Sequence, residues 1–200
     1  SLKLLNRGIE VTPKGHLILN ANVFSDYILR RLTLFLHESK VVYAYSKEGK
    51  FVQINDEYLK KICRDILHES MPNIWTVKWE NEYFTALKRA MPLVKTLDPH
   101  LHLINLKNGL MNLQTMQLMP HDPKYLSTVQ TNMKYDSEAT CPNFLEYLKD
   151  IFEGDQERID LVQEMLGYCF LRDVKLHRAF IFLGKGSNGK SVLAEIIRHL

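Results

Sequence analysis

The feature that most constrains the fold is a glycine-rich run near the end of the sequence, between an apolar stretch and an amphipathic one. Residues 184–191 read Gly-Lys-Gly-Ser-Asn-Gly-Lys-Ser, which matches the pattern G-x-x-x-x-G-K-[ST] of a phosphate-binding loop. Residues 179–183, Ala-Phe-Ile-Phe-Leu, form a short apolar run that predicts a buried strand. Residues 192–200 carry apolar side chains at helical spacing. We therefore predict a strand, a phosphate-binding loop and a helix, in that order.

Each residue type in this loop has a physical role in holding a nucleotide. The glycines allow the backbone to curl, so that successive N–H groups converge on phosphate oxygens. Lys190 is expected to reach the β- and γ-phosphates of ATP, and the Ser191 hydroxyl is expected to bind Mg²⁺. The predicted nucleotide-binding residues are Gly184, Lys185, Gly186, Ser187, Asn188, Gly189, Lys190 and Ser191. Two alternatives stay open, a glycine turn that binds nothing and an unrelated phosphate-loop kinase.

The sequence ahead of the loop predicts an α+β module of helices and hairpins. Apolar residues at three- and four-residue spacing indicate helices, and short β-rich runs around turn residues indicate hairpins. The predicted elements are a helix over 22–38, a hairpin of 41–45 with 51–54, a helix over 59–67 capped by Asn55, a helix over 79–91, and a hairpin around Asn108-Gly109.

A domain boundary is predicted near residue 133, within the mostly irregular stretch 114–140. Residues 1–133 would form the N-terminal module. Residues 134–200 would begin with two helices, one with Pro142 in its first turn and the next capped by Asp155. The strand, loop and helix would follow. That last part would be the truncated start of an α/β P-loop NTPase domain.

The charge of the chain is unevenly distributed. The net charge is only +3, but residues 1–50 carry eight Lys or Arg against four Asp or Glu. A basic surface of this kind is able to contact the phosphates of DNA. The candidate DNA-contacting residues are Lys3, Arg7, Lys14, Arg30 and Arg31. The alternative is an ordinary solvated face.

Composition excludes several classes of protein. With 46% hydrophobic and 24% charged residues, the chain is typical of globular proteins. No apolar run approaches the ~18 residues that a membrane-spanning helix needs, so we expect no membrane partner. Three widely spaced cysteines argue against a disulfide framework and favour a reducing, intracellular compartment. The chain begins with Ser1 and ends at Leu200 inside a predicted helix, so we expect a piece of a longer protein.

A family resemblance adds to this interpretation. The Asn that directly precedes Gly-Lys-Ser resembles the loop of superfamily 3 helicases from phages, plasmids and DNA viruses. Four upstream stretches support it: residues 104–113 (INLKNGLMNL), 120–123 (PHDP), 135–142 (YDSEATCP) and 163–168 (QEMLGY). Together they resemble the region that precedes the motor in phage and plasmid primase-helicases, related to the poxvirus primase-helicase. The resemblance covers roughly residues 20–200.

The resemblance implies a ring-forming, ATP-driven DNA helicase of a phage, plasmid or mobile element, working in the cytoplasm of a bacterial host cell. Its expected partners are single-stranded or origin DNA, further copies of the chain and a primase domain or protein, and its cofactors are ATP and Mg²⁺. The sequence stops before the acidic strand, sensor and ring arginine of that family, so the 200-residue chain alone is expected to be inactive. The alternative is a non-catalytic module that binds DNA, assembles the ring or links the primase.

Overall fold

A computed structural model describes residues 2–172, 177, 179–184, 186 and 189–199. The fold is mixed α+β, and the chain divides into two compact units. The first runs from the N-terminus to Asp98 and includes Pro123–Thr128. The second contains Pro99–Asp122 and the described chain from Val129 onward. The domain division predicted near residue 133 is not tested by these units and stays a prediction.

The first unit combines helices with a four-stranded sheet and a separate two-stranded hairpin. Its helices are α1 (Leu2–Leu5), α2 (Ala21–Arg31), α3 (Asp56–His68) and α4 (Val77–Ala90). Its strands are β1 (Ile9–Val11), β2 (Leu17–Leu19), β3 (Leu34–His37), β4 (Val42–Tyr45), β5 (Phe51–Ile54) and β6 (Leu93–Val94). β1 pairs with β2, and the larger sheet has the order β5-β4-β3-β6, with β6 parallel to β3.

Local sequence signals account for most of these elements. The Asn55 side chain accepts a hydrogen bond from the Tyr58 N–H and so caps α3, as predicted. The predicted hairpin of β4 and β5 is confirmed, with Tyr45 opposite Phe51. The apolar faces of the helices meet in a core where the rings of Phe24 and Tyr83 pack edge to face, 5.0 Å apart.

The helix predicted over 22–38 is wrong in its second half. α2 ends at Arg31, and residues Leu34–His37 form strand β3. Phe35 pairs with Tyr43 on one face of the sheet, while Leu36 points to the opposite face and packs against the helical core. Residues 32–36 satisfy a helical spacing and a strand alternation equally well, so pairing with the β4–β5 hairpin decides between them.

The second unit contains a three-stranded sheet and three further helices. Its elements are β7 (Leu103–Leu106), β8 (Gly109–Asn112), β9 (Gln117–Met119), α5 (Pro142–Ile151), α6 (Gln156–Phe170) and α7 (Lys190–His199). The strands have the order β7-β8-β9 and all pair antiparallel. The buried side chains shared by the helices are Leu148, Ile159, Val162, Met165 and Leu193.

The predicted hairpin at Asn108-Gly109 is confirmed, but its turn differs from the expectation. Leu106 pairs with Gly109, so Lys107 and Asn108 form the connection and Gly109 begins the second strand. The Asn108 side-chain amide accepts a hydrogen bond from the N–H of Tyr135 at 2.9 Å and donates one to its carbonyl at 2.8 Å. The residue expected to serve the turn therefore ties the irregular stretch around Tyr135 to the hairpin.

Candidate functional site

The end of the glycine-rich loop joins directly onto helix α7. Gly189 is the residue before the helix, and its carbonyl accepts the first intrahelical hydrogen bond, from the Leu193 N–H at 3.0 Å. Lys190 is the first residue of α7 and is half-buried, and Ser191 follows in the same turn with an exposed side chain. The helix predicted after the loop is therefore present, with the Lys-Ser pair in its first turn.

The described glycines of the loop adopt conformations that suit a phosphate cradle. Gly186 has φ +104° and Gly189 has φ +80°, a region that side-chain-bearing residues rarely occupy. A Cβ built on Gly189 would lie 2.7 Å from Cγ2 of Ile151, so no larger residue fits there without a shift. Gly184 is exposed. Lys185, Ser187 and Asn188 lie outside the described residues. The residues that are described thus fit the predicted nucleotide, whose binding stays a prediction.

The strand predicted at 179–183 is wrong. Residues 179–184 have no strand structure, and Ile181 and Leu183 are 80% and 86% exposed. A strand of this type needs neighbours on both sides to satisfy its N–H and C=O groups. The sheets of the described chain are built from residues 9–119, and none of them extends to this segment. Of the expected strand, loop and helix, the described residues therefore contain only the helix, and the phosphate-binding loop stays a prediction.

Segment 180–183 lies beside the helices of its own unit. Together with residues of α5, α6 and α7 it lines a cavity of about 480 Å³, and Lys190 is part of the same lining. The ring of Phe180 meets the ring of Tyr168 on α6 edge to face, with centroids 6.0 Å apart. Phe180 and Phe182 are partly covered in this arrangement, whereas Ile181 and Leu183 remain exposed.

A contact between α5 and the loop was not anticipated from the sequence. The Tyr147 hydroxyl donates a hydrogen bond to the Gly189 carbonyl at 2.7 Å. A tyrosine hydroxyl is protonated and able to donate at neutral pH, and burial raises the pKa of Tyr147 further. The only sequence signal was the position of Tyr147 three residues after Phe144, on the same side of a helix.

Two of the predicted DNA-contacting residues, Arg7 and Arg31, make contacts within the protein itself, and DNA binding by the five candidates stays a prediction. Arg7 is only 6% exposed; its guanidinium lies 4.7 Å from the ring centre of Tyr27 and donates hydrogen bonds to Ile66 and Glu69. Arg31 also pairs with Glu69. Both arginines thus form ion pairs with Glu69, the residue directly after α3, and so stabilise the C-terminal end of that helix.

The remaining candidates differ in accessibility. Arg30 and Lys14 are exposed, whereas Lys3 lies in α1 and its side chain is not among those described. The hydrogen bond from Arg31 lowers the pKa of Glu69, with Arg7 acting in the same direction. Glu69 therefore stays charged and keeps both arginines engaged.

Two negative findings apply to the described residues. No three His, Cys, Asp or Glu side chains among them come together in a group that could hold a metal ion. No helix built from them has both the length and the apolar character that crossing a membrane requires.

Comparison with known proteins identifies a family for most of the chain. A family model described as "D5 N terminal like" matches residues 21–153. The match includes α2 to α5 and both larger sheets. A search of curated proteins found no match. Since the model spans more than half of the sequence, this chain belongs to the D5 N-terminal-like family, the N-terminal domain of D5-like primase-helicase proteins.

Proposed function

We propose that this chain is the part of a replicative DNA primase-helicase that connects a D5-type module to a nucleotide-binding loop, and that residues 184–191 bind ATP·Mg²⁺. Membership of the D5 N-terminal-like family supports a role in DNA replication. The observation that carries the nucleotide proposal is the position of Lys190 and Ser191 in the first turn of α7, directly after a positive-φ glycine. A helix N-terminus preceded by a curled glycine loop favours phosphate.

The residues of the loop have distinct roles in this proposal. The Lys190 ammonium offsets the negative charge of the phosphates, and the backbone N–H groups at the start of α7 point toward the same anion. The Ser191 hydroxyl is the group in this chain that would hold Mg²⁺. ATP supplies the phosphoanhydride bond whose hydrolysis would drive movement along DNA. In this proposal the acidic and arginine groups that complete hydrolysis come from outside these 200 residues.

A second candidate function is a non-catalytic module that binds DNA, assembles a ring or links a primase. It is favoured by the extent of the family match, which ends at residue 153, ahead of the loop. It is also favoured by the exposed apolar segment 180–183, which has no sheet to join among the described residues.

Binding of a fluorescent ATP analogue with Mg²⁺ to the 200-residue chain tests the first candidate. We expect Lys190→Ala to lose binding, because the main side-chain charge for the phosphates is removed. Lys149→Ala is the matched control, since Lys149 is an exposed lysine on α5 and loses the same charge. Circular dichroism checks that each variant is folded. Equal affinity of Lys190→Ala and the wild type would reject the nucleotide site.

A DNA-binding titration tests the second candidate. In the second, the wild type and Lys190→Ala bind labelled single-stranded DNA equally well, with an affinity that falls steeply as salt increases because phosphate contacts release counterions. An affinity for DNA that does not change with salt concentration would rule out phosphate contacts by the basic residues. Charge reversal at the exposed Arg30, compared with reversal at Lys14, then tests which part of the N-terminal basic region contributes.

A further inference from the structure

We propose that Tyr147 is a positioning residue for the nucleotide loop, because its hydroxyl holds the residue from which α7 begins and so directs Lys190 toward the phosphates. The inference rests on the proposed nucleotide site. It adds a residue that lies 37 positions before the loop motif, in a helix that belongs to the family module.

The Gly189 carbonyl accepts two hydrogen bonds. One comes from the Leu193 N–H at 3.0 Å and is the first bond of the helix; the other comes from the Tyr147 hydroxyl at 2.7 Å. The residue that receives both is the one directly before Lys190. Because the peptide unit between Gly189 and Lys190 is planar, fixing this carbonyl also fixes the direction of the Lys190 N–H. That N–H is one of the groups that a bound phosphate would meet.

The same residue is in close contact with α5. A Cβ on Gly189 would lie 2.7 Å from Cγ2 of Ile151, 3.0 Å from the Tyr147 hydroxyl oxygen and 3.3 Å from its ring. The Tyr147 ring is itself stacked against Phe144, with centroids 6.2 Å apart and planes 24° apart. The Tyr147 ring, and with it the hydroxyl, is therefore positioned by packing against Phe144. The backbone of Gly189 lies directly against the same ring.

A second anchor lies one turn further along α7. Leu193 is 2% exposed and packs with Leu148 and Met165 in the core of the second unit. Two points hold the first turn of α7, a polar one at Gly189 and an apolar one at Leu193. The apolar contact of Leu193 allows small rotations of α7, whereas a hydrogen bond at 2.7 Å fixes the direction of the Gly189 carbonyl. Tyr147 is thus the group that sets how the first turn is oriented.

This arrangement connects a helix inside the region matched by the family model to a residue outside it. Tyr147 and Ile151 lie inside the region matched by the family model, and Gly189 lies outside it. This hydrogen bond therefore joins the last helix inside the matched region to the residue from which α7 begins.

The test is Tyr147→Phe in the 200-residue chain, which removes the hydroxyl and keeps the ring. Tyr168→Phe is the matched control, because Tyr168 is also half-buried, lies on the neighbouring helix α6 and contacts Phe180 through its ring. Affinity for a fluorescent ATP analogue with Mg²⁺ is measured for both variants and the wild type. We expect about fivefold weaker binding for Tyr147→Phe, the size of one neutral hydrogen bond, and no change for Tyr168→Phe.

Hydrogen exchange without nucleotide gives an independent readout. If Tyr147 orients the first turn of α7, the Leu193 amide, which donates the first intrahelical hydrogen bond, exchanges faster in Tyr147→Phe than in the wild type, while amides later in α7 keep their rates. A role limited to packing would lower the melting temperature and leave both the affinity and the exchange pattern unchanged, which would overturn the inference.

The outcomes also separate this inference from the proposed function. If the wild type binds the analogue, Lys190→Ala does not, and Tyr147→Phe binds as tightly as the wild type, the nucleotide site stands and the role of Tyr147 is rejected. If the wild type does not bind the analogue, the proposed nucleotide site and the role of Tyr147 both fail. Weaker binding by Tyr147→Phe, together with unchanged binding by Tyr168→Phe, supports the inference.

Discussion

Gly109 allows a stability prediction that is worked directly from the geometry of the second unit. It is the first residue of β8, has φ +154° and lies opposite Leu106 in the hairpin. A Cβ at this position would lie 2.5 Å from the backbone carbonyl oxygen of Met119 and 3.0 Å from Cδ1 of Leu118. Gly109→Ala therefore introduces both an unfavourable backbone conformation and an overlap with the backbone of β9.

Gly154 provides a comparison in which φ is positive but no overlap occurs. Gly154 lies in the same unit, has φ +77°, and a Cβ built on it has no atom within 4 Å. Gly154→Ala should cost about 1 kcal/mol, since the left-handed strain of 1–2 kcal/mol is partly offset by the lower entropy of the unfolded chain. Gly109→Ala adds about 1–3 kcal/mol for the overlap, because a backbone atom cannot move aside as a flexible side chain can. We expect a total of roughly 3 kcal/mol.

The assay is urea unfolding followed by circular dichroism at 222 nm, with hydrogen exchange of the β8 and β9 amides as a local readout. The expected result is a lower unfolding free energy for Gly109→Ala than for Gly154→Ala, by about 2 kcal/mol, together with faster exchange in β8 and β9. If the decreases in unfolding free energy of the two variants agree within about 0.5 kcal/mol, β9 does not approach Gly109 closely. That result would refute the reasoning from the overlap.

Three further predictions concern other parts of the chain. Leu193→Ala should lower the unfolding free energy by about 3 kcal/mol in urea, because the side chain is 2% exposed in the core that joins α7 to α5 and α6; a loss below about 1 kcal/mol would contradict that packing. The hydrogen bond from Arg31 lowers the pKa of Glu69, so this carboxylate stabilises the fold at pH values above the ordinary pKa of glutamate, about 4, and the stabilisation is lost as the pH falls through the lowered pKa. Urea midpoints from pH 7 to pH 3 should therefore fall more for the wild type than for Glu69→Gln, and parallel curves would disprove the coupling. Burial raises the pKa of Cys63 to about 12, so iodoacetamide at pH 8 should label the two exposed cysteines of the native protein and spare Cys63; mass spectrometry that finds Cys63 labelled at the same rate would refute this.

Much of the secondary structure could be predicted from local sequence because its signals act over a few residues. The Asn55 cap, the hairpin of 41–45 with 51–54 and the Pro142 and Asp155 helix starts all lie where they were predicted. Each depends on a hydrogen bond or a φ preference within about four residues of the signal. The loop pattern at 184–191 is likewise a local signal for phosphate, although its function stays a prediction.

The errors occurred where residues distant in sequence decide the outcome. Residues 34–37 form a strand because a hairpin from 42–54 pairs with them, and 179–183 do not form one because no described strand pairs with them. The burial of Arg7 against Tyr27 and Glu69 is likewise a long-range contact that its place in a basic N-terminal region does not reveal, and its predicted DNA contact stays a prediction.

The sequence by itself determined the primase-helicase family of the N-terminal region, the caps at Asn55 and Asp155, two of the hairpins and the identity of the candidate loop residues, because these depend on residue types at short, fixed spacings. The tertiary structure alone decided which arginines remain exposed, which apolar run forms a strand, and which helix holds the loop. The contact between Tyr147 and Gly189 joins residues 42 positions apart through one hydrogen bond. A contact of this kind has no periodicity or composition of its own, because it exists only after α5 and α7 have packed on a shared core.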